Sequence, residues 1–175
     1  MKKKLEDLLL NVETFIGDSK KGLPDEVFYF ISKLTPLVNV DLLIKNEEGE
    51  TLLTWRHDKY YGPAWHIPGG IIRFREKFET RIQKVAMSEL GADIIHEEHP
   101  MAMRQCFSKG NDVRGHFISL LFLCKLKALP TKTQFLKGEP EPGQWCWHKE
   151  APKNMLTNSQ SPFIQYINET KPLKL

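Results

Sequence analysis

From Glu76 to Leu90 apolar residues recur at helical spacing among charged ones, and Gly91 stands where such a helix stops. Upstream, a short apolar strand runs into Gly69-Gly70, and a second run, Ile71, Ile72 and Phe74, follows it. The stretch therefore reads as strand, loop and helix in succession. At roughly 100° per residue, Phe78, Ile82, Val85 and Glu89 fall within about 60° of one another, with Ala86 and Leu90 beside them. One carboxylate thus sits in an apolar stripe. Leaving it ionised and unpaired there is costly, so Glu89 is expected to meet a cation, a strong hydrogen-bond donor or a metal; an Arg or Lys is the plainest partner.

The remaining pattern predicts a sheet around this unit. Positions 5, 8, 9 and 12 carry Leu or Val every three to four residues, which predicts an amphipathic helix whose apolar face packs on the domain or on a second subunit. Gly17 to Gly22 reads as a polar linker, and Leu23 to Leu34 as a short helix opened by Pro24 and Asp25. The chain is expected to divide into an extension, residues 1–22, and a domain, residues 23–175. Dense aliphatic residues from Pro36 to Ile44, a turn at Glu47 to Gly49 and a run from Glu50 to Trp55 predict a hairpin. Met101 to Phe107 and Arg114 to Lys127 read as strands joined by a turn at Ser108 to Asp112, the second strand buried from Ile118 to Leu126. Thr131 to Gly143, with Pro140 and Pro142, reads as a loop; Trp145 to His148 is a last strand, and Ser161 to Glu169 a terminal helix capped by Ser161. The sum is an α/β chain with a mixed sheet covered on both faces.

Composition narrows the class. A chain of 175 residues, 41% hydrophobic and 27% charged, supports one full core and indicates neither disorder nor a membrane protein. Its formal charge of +3 comes without a long basic run, which argues against a nucleic-acid binder and leaves room for an anionic small substrate. Cys106, Cys124 and Cys146 are widely spaced with no CxxC, so they read as free thiols in a reducing cytoplasm. The opening residues lack the long apolar segment of a signal peptide.

Several side chains stand out as chemistry. Asp41 falls mid-strand, where aspartate is rare; it is either a hydrogen-bonded structural group or a ligand contact. Arg56 ends the next strand, and its planar guanidinium suits two parallel bonds to phosphate oxygens. Tyr60 and Tyr61 present rings able to stack on a base, whereas Trp65 is expected to pack. Arg73 and Arg75 flank Phe74 just before the helix, either as a phosphate-binding surface or as solvated side chains. His116 opens the long strand, and His57 follows Arg56.

The glycine-to-helix stretch resembles the Nudix hydrolases. Their box, G-x5-E-x7-R-E-U-x-E-E-x-G-U with U aliphatic, is matched by Gly70, Glu76, Ala86, Glu89 and Gly91, while Lys84, Val85 and Ser88 depart from it. Loss of the carboxylates at Val85 and Ser88 is similar to the GDP-mannose mannosyl hydrolase branch, as is the segment Thr35 to Arg56 with Asp41 and Arg56. The resemblance implies a Nudix α/β/α sandwich, and a single Mg2+ (Mn2+ as the alternative) held by a backbone carbonyl of Gly69 or Gly70, by Glu89 and by a downstream side chain. It implies Asp41 and Arg56 as substrate contacts, and a homodimer; Tyr60 by its ring and Arg73 by its place before the helix are candidate contacts beside them. In that branch the downstream loop supplies a Gln ligand and a His base; Glu141 and Pro142 occupy those places here, and Phe117 stands where the branch has a tyrosine. A prolyl residue cannot accept a proton, so the base is expected at His116 or Glu141, with Glu141 also a metal ligand.

Such a site neutralises charge on a departing nucleotide. Hydrolysis of a nucleoside diphosphate sugar to nucleoside diphosphate and sugar ranks first, a pyrophosphohydrolase of nucleotide derivatives second, and a catalytically weak nucleotide-sugar-binding protein third.

Overall fold

The computed structural model describes residues 2–58, 61–107, 115–156 and 161–173, the side chain of Ser161 excepted. The elements are α1 (Lys2–Ile16), α2 (Asp25–Ser32), β1 (Leu37–Ile44), β2 (Thr51–Arg56), β3 (Ala64–His66), β4 (Gly69–Ile71), α3 (Phe78–Leu90), β5 (Ile94–His96), β6 (Ala102–Phe107), β7 (His116–Leu126), β8 (Trp145–His148) and α4 (Ile164–Glu169).

The strands form two sheets. In the first, β4, β1 and β7 are neighbours in that order, and the far edge of β7 is shared by β6 and β5. Phe107 of β6 lies opposite His116 and Ala102 opposite Leu121, after which β5 takes over with His96 opposite Cys124. β1 and β7 run parallel, Leu37 to Ile44 against Phe117 to Cys124, while the other pairs are antiparallel, so the sheet is mixed. The second sheet is antiparallel in the order β3, β2, β8.

Strand alternation divides the core. Val40, Leu42 and Ile44 of β1 face α3, which lays Ile82, Val85, Ala86 and Leu90 on them together with Leu120 and Phe122. Leu43 and Leu121 point to the other face, against Leu53, Trp55, Trp65 and Ile67 and against Phe163 and Ile167 at α4. Trp65 is thus a packing residue, as expected. The C-terminus of α3 is fixed by Gly91, in the left-handed conformation at φ 64°, whose amide donates to Met87 O at 2.9 Å. Beyond it Lys132 N donates to Leu90 O at 3.1 Å and Thr131 Oγ1 to Gly91 O at 3.0 Å, so the loop before β8 is tied to the helix end.

The structure corrects several expectations. The hairpin over Pro36 to Trp55 does not form a ladder. A turn does close there, with Asn46 N donating to Glu50 O at 3.1 Å and a single bridge between Lys45 and Thr51. Both edges of β1 are already occupied, by β4 and β7, so β2 peels away into the second sheet. β5 was not expected, α3 begins at Phe78 rather than Glu76, and the terminal helix begins at Ile164 after a 3-10 turn over Ser161–Phe163. The connection expected at Ser108 to Asp112 lies outside the described residues. α1 forms as predicted but buries none of its residues, so its apolar face does not pack on the rest of the chain among the described residues. No described helix is long and apolar enough to cross a membrane.

Candidate active site

A cavity of about 450 Å³ opens between the two sheets at the end of α3. Its floor is one face of the first sheet: Asn39 and Asp41 of β1, Phe117 and Ser119 of β7, and Cys106 of β6. Register explains the set, because Asn39 pairs with Ser119 and Cys106 with Phe117 across the ladders, which brings their side chains to one face. Its wall is the second sheet, where Thr54 and Arg56 of β2 stand on the face shared with His66 of β3, opposite Thr54. Glu89 enters from α3, and Lys132, Pro142 and Gly143 complete the lining from the loop before β8.

The glycines set the site's backbone. Leu42 N donates to Pro68 O and Ile72 N to Val38 O, so Val40 and Gly70 form the hydrogen-bonded pair between them, and Gly69, opposite Asp41, turns both its amide and its carbonyl to the open edge of β4. Its amide donates to Glu89 Oε1 at 3.1 Å. A Cβ at position 69 would overlap Asp41 Oδ1, and one at Gly70 would lie 2.8 Å from Val85 Cγ2, so neither position has room for a side chain.

Among the described residues Glu89 finds hydrogen-bond donors rather than an ion-paired cation. Besides Gly69 N, Thr54 Oγ1 donates to Oε2 at 3.0 Å. Burial raises the carboxyl pKa to about 7 even though both bonds and the Arg56 charge favour the ionised form; Asp41 adds to the rise. His66 does not supply the missing charge. Its Nε2 is 3.6 Å from Glu89 Oε2, but burial, helped by the nearby Arg56, lowers its pKa to about 4, so it is neutral at pH 7. Asp41 is buried and accepts from Ser119 Oγ. Arg56 pairs with Asp58 and lies over the Tyr61 ring, 4.6 Å from its centroid. Glu76, the other box carboxylate, points away from the cavity. Burial opposes its ionisation, but bonds from Lys84, the Arg73 amide and Arg81 outweigh that and hold its pKa below the ordinary value. It ties the loop to α3.

The structure brings Asp41, Arg56, His57, Tyr61, Gly69, Gly70 and Glu89 to the cavity and leaves other expected residues outside it. Phe117 and Ser119 face the cavity, so alternation turns His116 to the opposite face of β7, where it stacks on Phe107 at 4.6 Å and contacts Gln105. His116 is therefore not in reach to act as the base. Glu141 is exposed in a tight turn, its amide bonded to Gln144 Oε1 at 3.0 Å, and does not line the cavity although Pro142 and Gly143 do. Arg73 does not line it either; its guanidinium lies against Gly22 and donates to Lys20 O at 3.4 Å. Tyr60 lies outside the described residues. Thr54, His66, Asn39, Ser119 and Lys132 were not anticipated, and only the pairing register of the strands, with the unmet need of Glu89 for donors, pointed to the first two.

A single divalent cation fits this donor set. Among the described residues no three His, Cys, Asp or Glu side chains converge as a metal site. The donor set therefore rests on backbone as well as side chain: the Gly69 carbonyl on the open edge beside Glu89, whose partly buried carboxylate has only neutral hydrogen-bond partners among the described residues. Oxygen donors of this kind suit a hard cation.

Comparison with known proteins agrees with this architecture. Residues 35–167 match the NUDIX domain family. The low-salt glycan biosynthesis protein Agl8 of Haloferax volcanii is 32% identical over 104 residues, 57% of this chain and 65% of the relative. The chain thus spans just under two thirds of that relative's length. A possible asymmetric diadenosine tetraphosphate hydrolase of Jonesia denitrificans superposes with a TM-score of 0.60 at 15% identity, covering 81% of this chain and 99% of its own. A NUDIX hydrolase of Nitrosomonas europaea gives 0.53 at 14% identity, over 78% and 82%. These two show the shared fold.

Ionising Glu89 without a metal should weaken the fold. Its folded pKa of about 7 exceeds the ordinary 4.5, so between these values the folded state binds more protons than the unfolded one and stability falls as pH rises. In chelator-treated protein, Glu89→Gln is expected to be more stable than the parent at pH 8 by about 2 kcal/mol in urea unfolding, with the gap closing by pH 5. An equal gap at both pH values would show that the charge is already compensated.

Proposed function

The chain belongs to the Nudix hydrolase family, and from that premise we propose that it hydrolyses a nucleoside diphosphate sugar, with the diphosphate held between Arg56 and a divalent cation at Glu89 and Gly69. The observation that carries the reading is the uncompensated Glu89 carboxylate, set in the same cavity as the Arg56 guanidinium. The family generally uses divalent metals. A bound cation supplies charge neutralisation to the leaving diphosphate. Arg56 adds a forked donor to the phosphate oxygens, and Asp58 and Tyr61 hold its guanidinium in place beforehand. Lys132 contributes a further cation at the rim.

The floor supports a sugar or base. Asp41 and Ser119 offer acceptors and a hydroxyl, and Asn39 has a buried Oδ1 with no partner among the described residues, an acceptor that a ligand hydroxyl or amine would satisfy. The cavity's volume of about 450 Å³ suits a ligand of this class. The Haloferax volcanii relative's name, in glycan biosynthesis, supports a glycosyl-bearing substrate. Attack at the sugar carbon is favoured over attack at phosphorus because neither of the other metal-holding box positions carries a carboxylate, although Ser88 lines the cavity. Val85 is buried in the core, and Ser88 donates to Val85 O at 3.1 Å.

We place a homodimer in the same reading. Residues 1–22 act as an extension to the domain at 23–175, because α1 exposes Leu5, Leu8, Leu9, Val12 and Phe15 and packs them on nothing described. The three free cysteines suit a reducing cytoplasm.

Two measurements test this. Incubation with a panel of nucleoside diphosphate sugars and Mg2+ or Mn2+ is expected to release nucleoside diphosphate and free sugar; nucleoside monophosphate with sugar phosphate would instead mark attack at phosphorus. Glu89→Gln should remove the metal-dependent rate, Arg56→Ala should lower kcat/KM by roughly 100-fold, and Ser88→Ala should change little. For the dimer, light scattering at micromolar concentration should give twice the chain mass in the parent and the single mass after deletion of residues 1–22. A monomeric parent would contradict the pairing.

A further inference from the structure

His66 is the buried polar group that the proposed reaction leaves without a task. It is 7% exposed, lines the cavity and stands next to Glu89. Its Nδ1 lies 2.9 Å from Ile67 O, a carbonyl that can only accept, so Nδ1 carries the ring proton and Nε2 presents a lone pair. That lone pair is 2.9 Å from Thr54 Oγ1 and 3.6 Å from Glu89 Oε2, and Thr54 Oγ1 is itself 3.0 Å from Glu89 Oε2. With Glu89 ionised, His66 Nε2 and Glu89 Oε2 are both acceptors and Thr54 supplies one proton between them. When Thr54 serves Glu89, whose other oxygen already accepts from Gly69 N, His66 Nε2 is left without a donor among the described residues. A cation resolves the shortage.

We propose that His66 Nε2 is a ligand of the divalent cation, replacing oxygen donors lost from the helix with an imidazole nitrogen. The spacing suits it, since two donors each about 2.1 Å from one ion lie up to about 4.2 Å apart, and Nε2 and Oε2 are 3.6 Å apart. The Nδ1 bond to Ile67 O is the outer contact that fixes the ring of a metal-binding histidine. Thr54 then donates wholly to Glu89 and orients its carboxylate. The consequence is selectivity. Mg2+ favours oxygen donors, whereas imidazole nitrogen suits later first-row ions, so this site prefers Mn2+, Co2+ or Zn2+ over Mg2+ more strongly than an all-oxygen site does.

The inference rests on the single-cation reading above, and pulsed electron paramagnetic resonance of Mn2+ bound to the full chain separates the two. Chelator-treated protein loaded with one equivalent of Mn2+ is expected to show nitrogen coupling of an imidazole ligand, converted to the 15N pattern when only the histidines are isotopically labelled. His66→Gln should lose the coupling and weaken Mn2+ binding by at least about ten-fold, with its circular dichroism unchanged. The labelled parent decides the matter even if that variant does not fold. Bound Mn2+ without histidine coupling, in a protein whose Glu89→Gln variant no longer binds it, overturns His66 as a ligand and leaves the Glu89 reading standing. Mn2+ affinity unchanged in Glu89→Gln overturns both.

Discussion

A side chain at position 69 would overlap Asp41 Oδ1 and come within 3.0 Å of Val40 O, and that close approach of β4 to β1 is what the site depends on. Only a glycine lets the edge strand lie flat against the carboxylate of Asp41 while its amide reaches the carboxylate of Glu89. Two acidic groups from separate elements are thereby set around one residue, and Asp41 is part of why the Glu89 pKa is raised. A folded protein keeps such an arrangement at a cost in stability. A cation held at Glu89, as proposed, would remove that cost.

The two sheets make the approach usable. β1, occupied on both edges, cannot also carry β2, and the divergence of the two strands after Lys45 opens the space between the sheets that becomes the cavity. Apolar packing on α3 holds Glu89 at its edge: Val85, Ala86 and Leu90 are buried, and Gly91 ends the helix so that the loop carrying Lys132 returns beside it. Charge in the site is local in origin. The chain's +3 is spread over a surface, whereas Arg56 and Lys132 line the cavity itself.

Much of this was legible in the sequence where one periodicity dominated. The helical spacing of Ile82, Val85 and Leu90 singled out Glu89 as an odd carboxylate, and it proved to need donors. Asp41 was visible as an acid inside an aliphatic strand. Strand pairing was less legible, because β1 from Val40 and β2 up to Trp55 are buried on both faces and no alternation marks a partner. The same uniformity hid the facing of β7: eleven residues without a polar rhythm gave no sign that Phe117 rather than His116 turns to the cavity. His66 was obscured for a different reason. In the run Trp65 to Gly70 it is a single polar residue in a short apolar strand, and its role depends on Thr54 lying opposite, a pairing that local sequence does not encode.

The central claim is that one divalent cation joins Glu89 to the Gly69 carbonyl and thereby holds a diphosphate against Arg56. Crystals grown with Mn2+ and a non-hydrolysable nucleoside diphosphate sugar, measured for anomalous scattering, test it directly. The expected result is one Mn2+ peak at about 2.1–2.3 Å from a Glu89 carboxylate oxygen and from Gly69 O, with phosphate oxygens on the ion and facing the Arg56 guanidinium. A peak elsewhere, or a diphosphate bound in the cavity with no ion at Glu89, would contradict it.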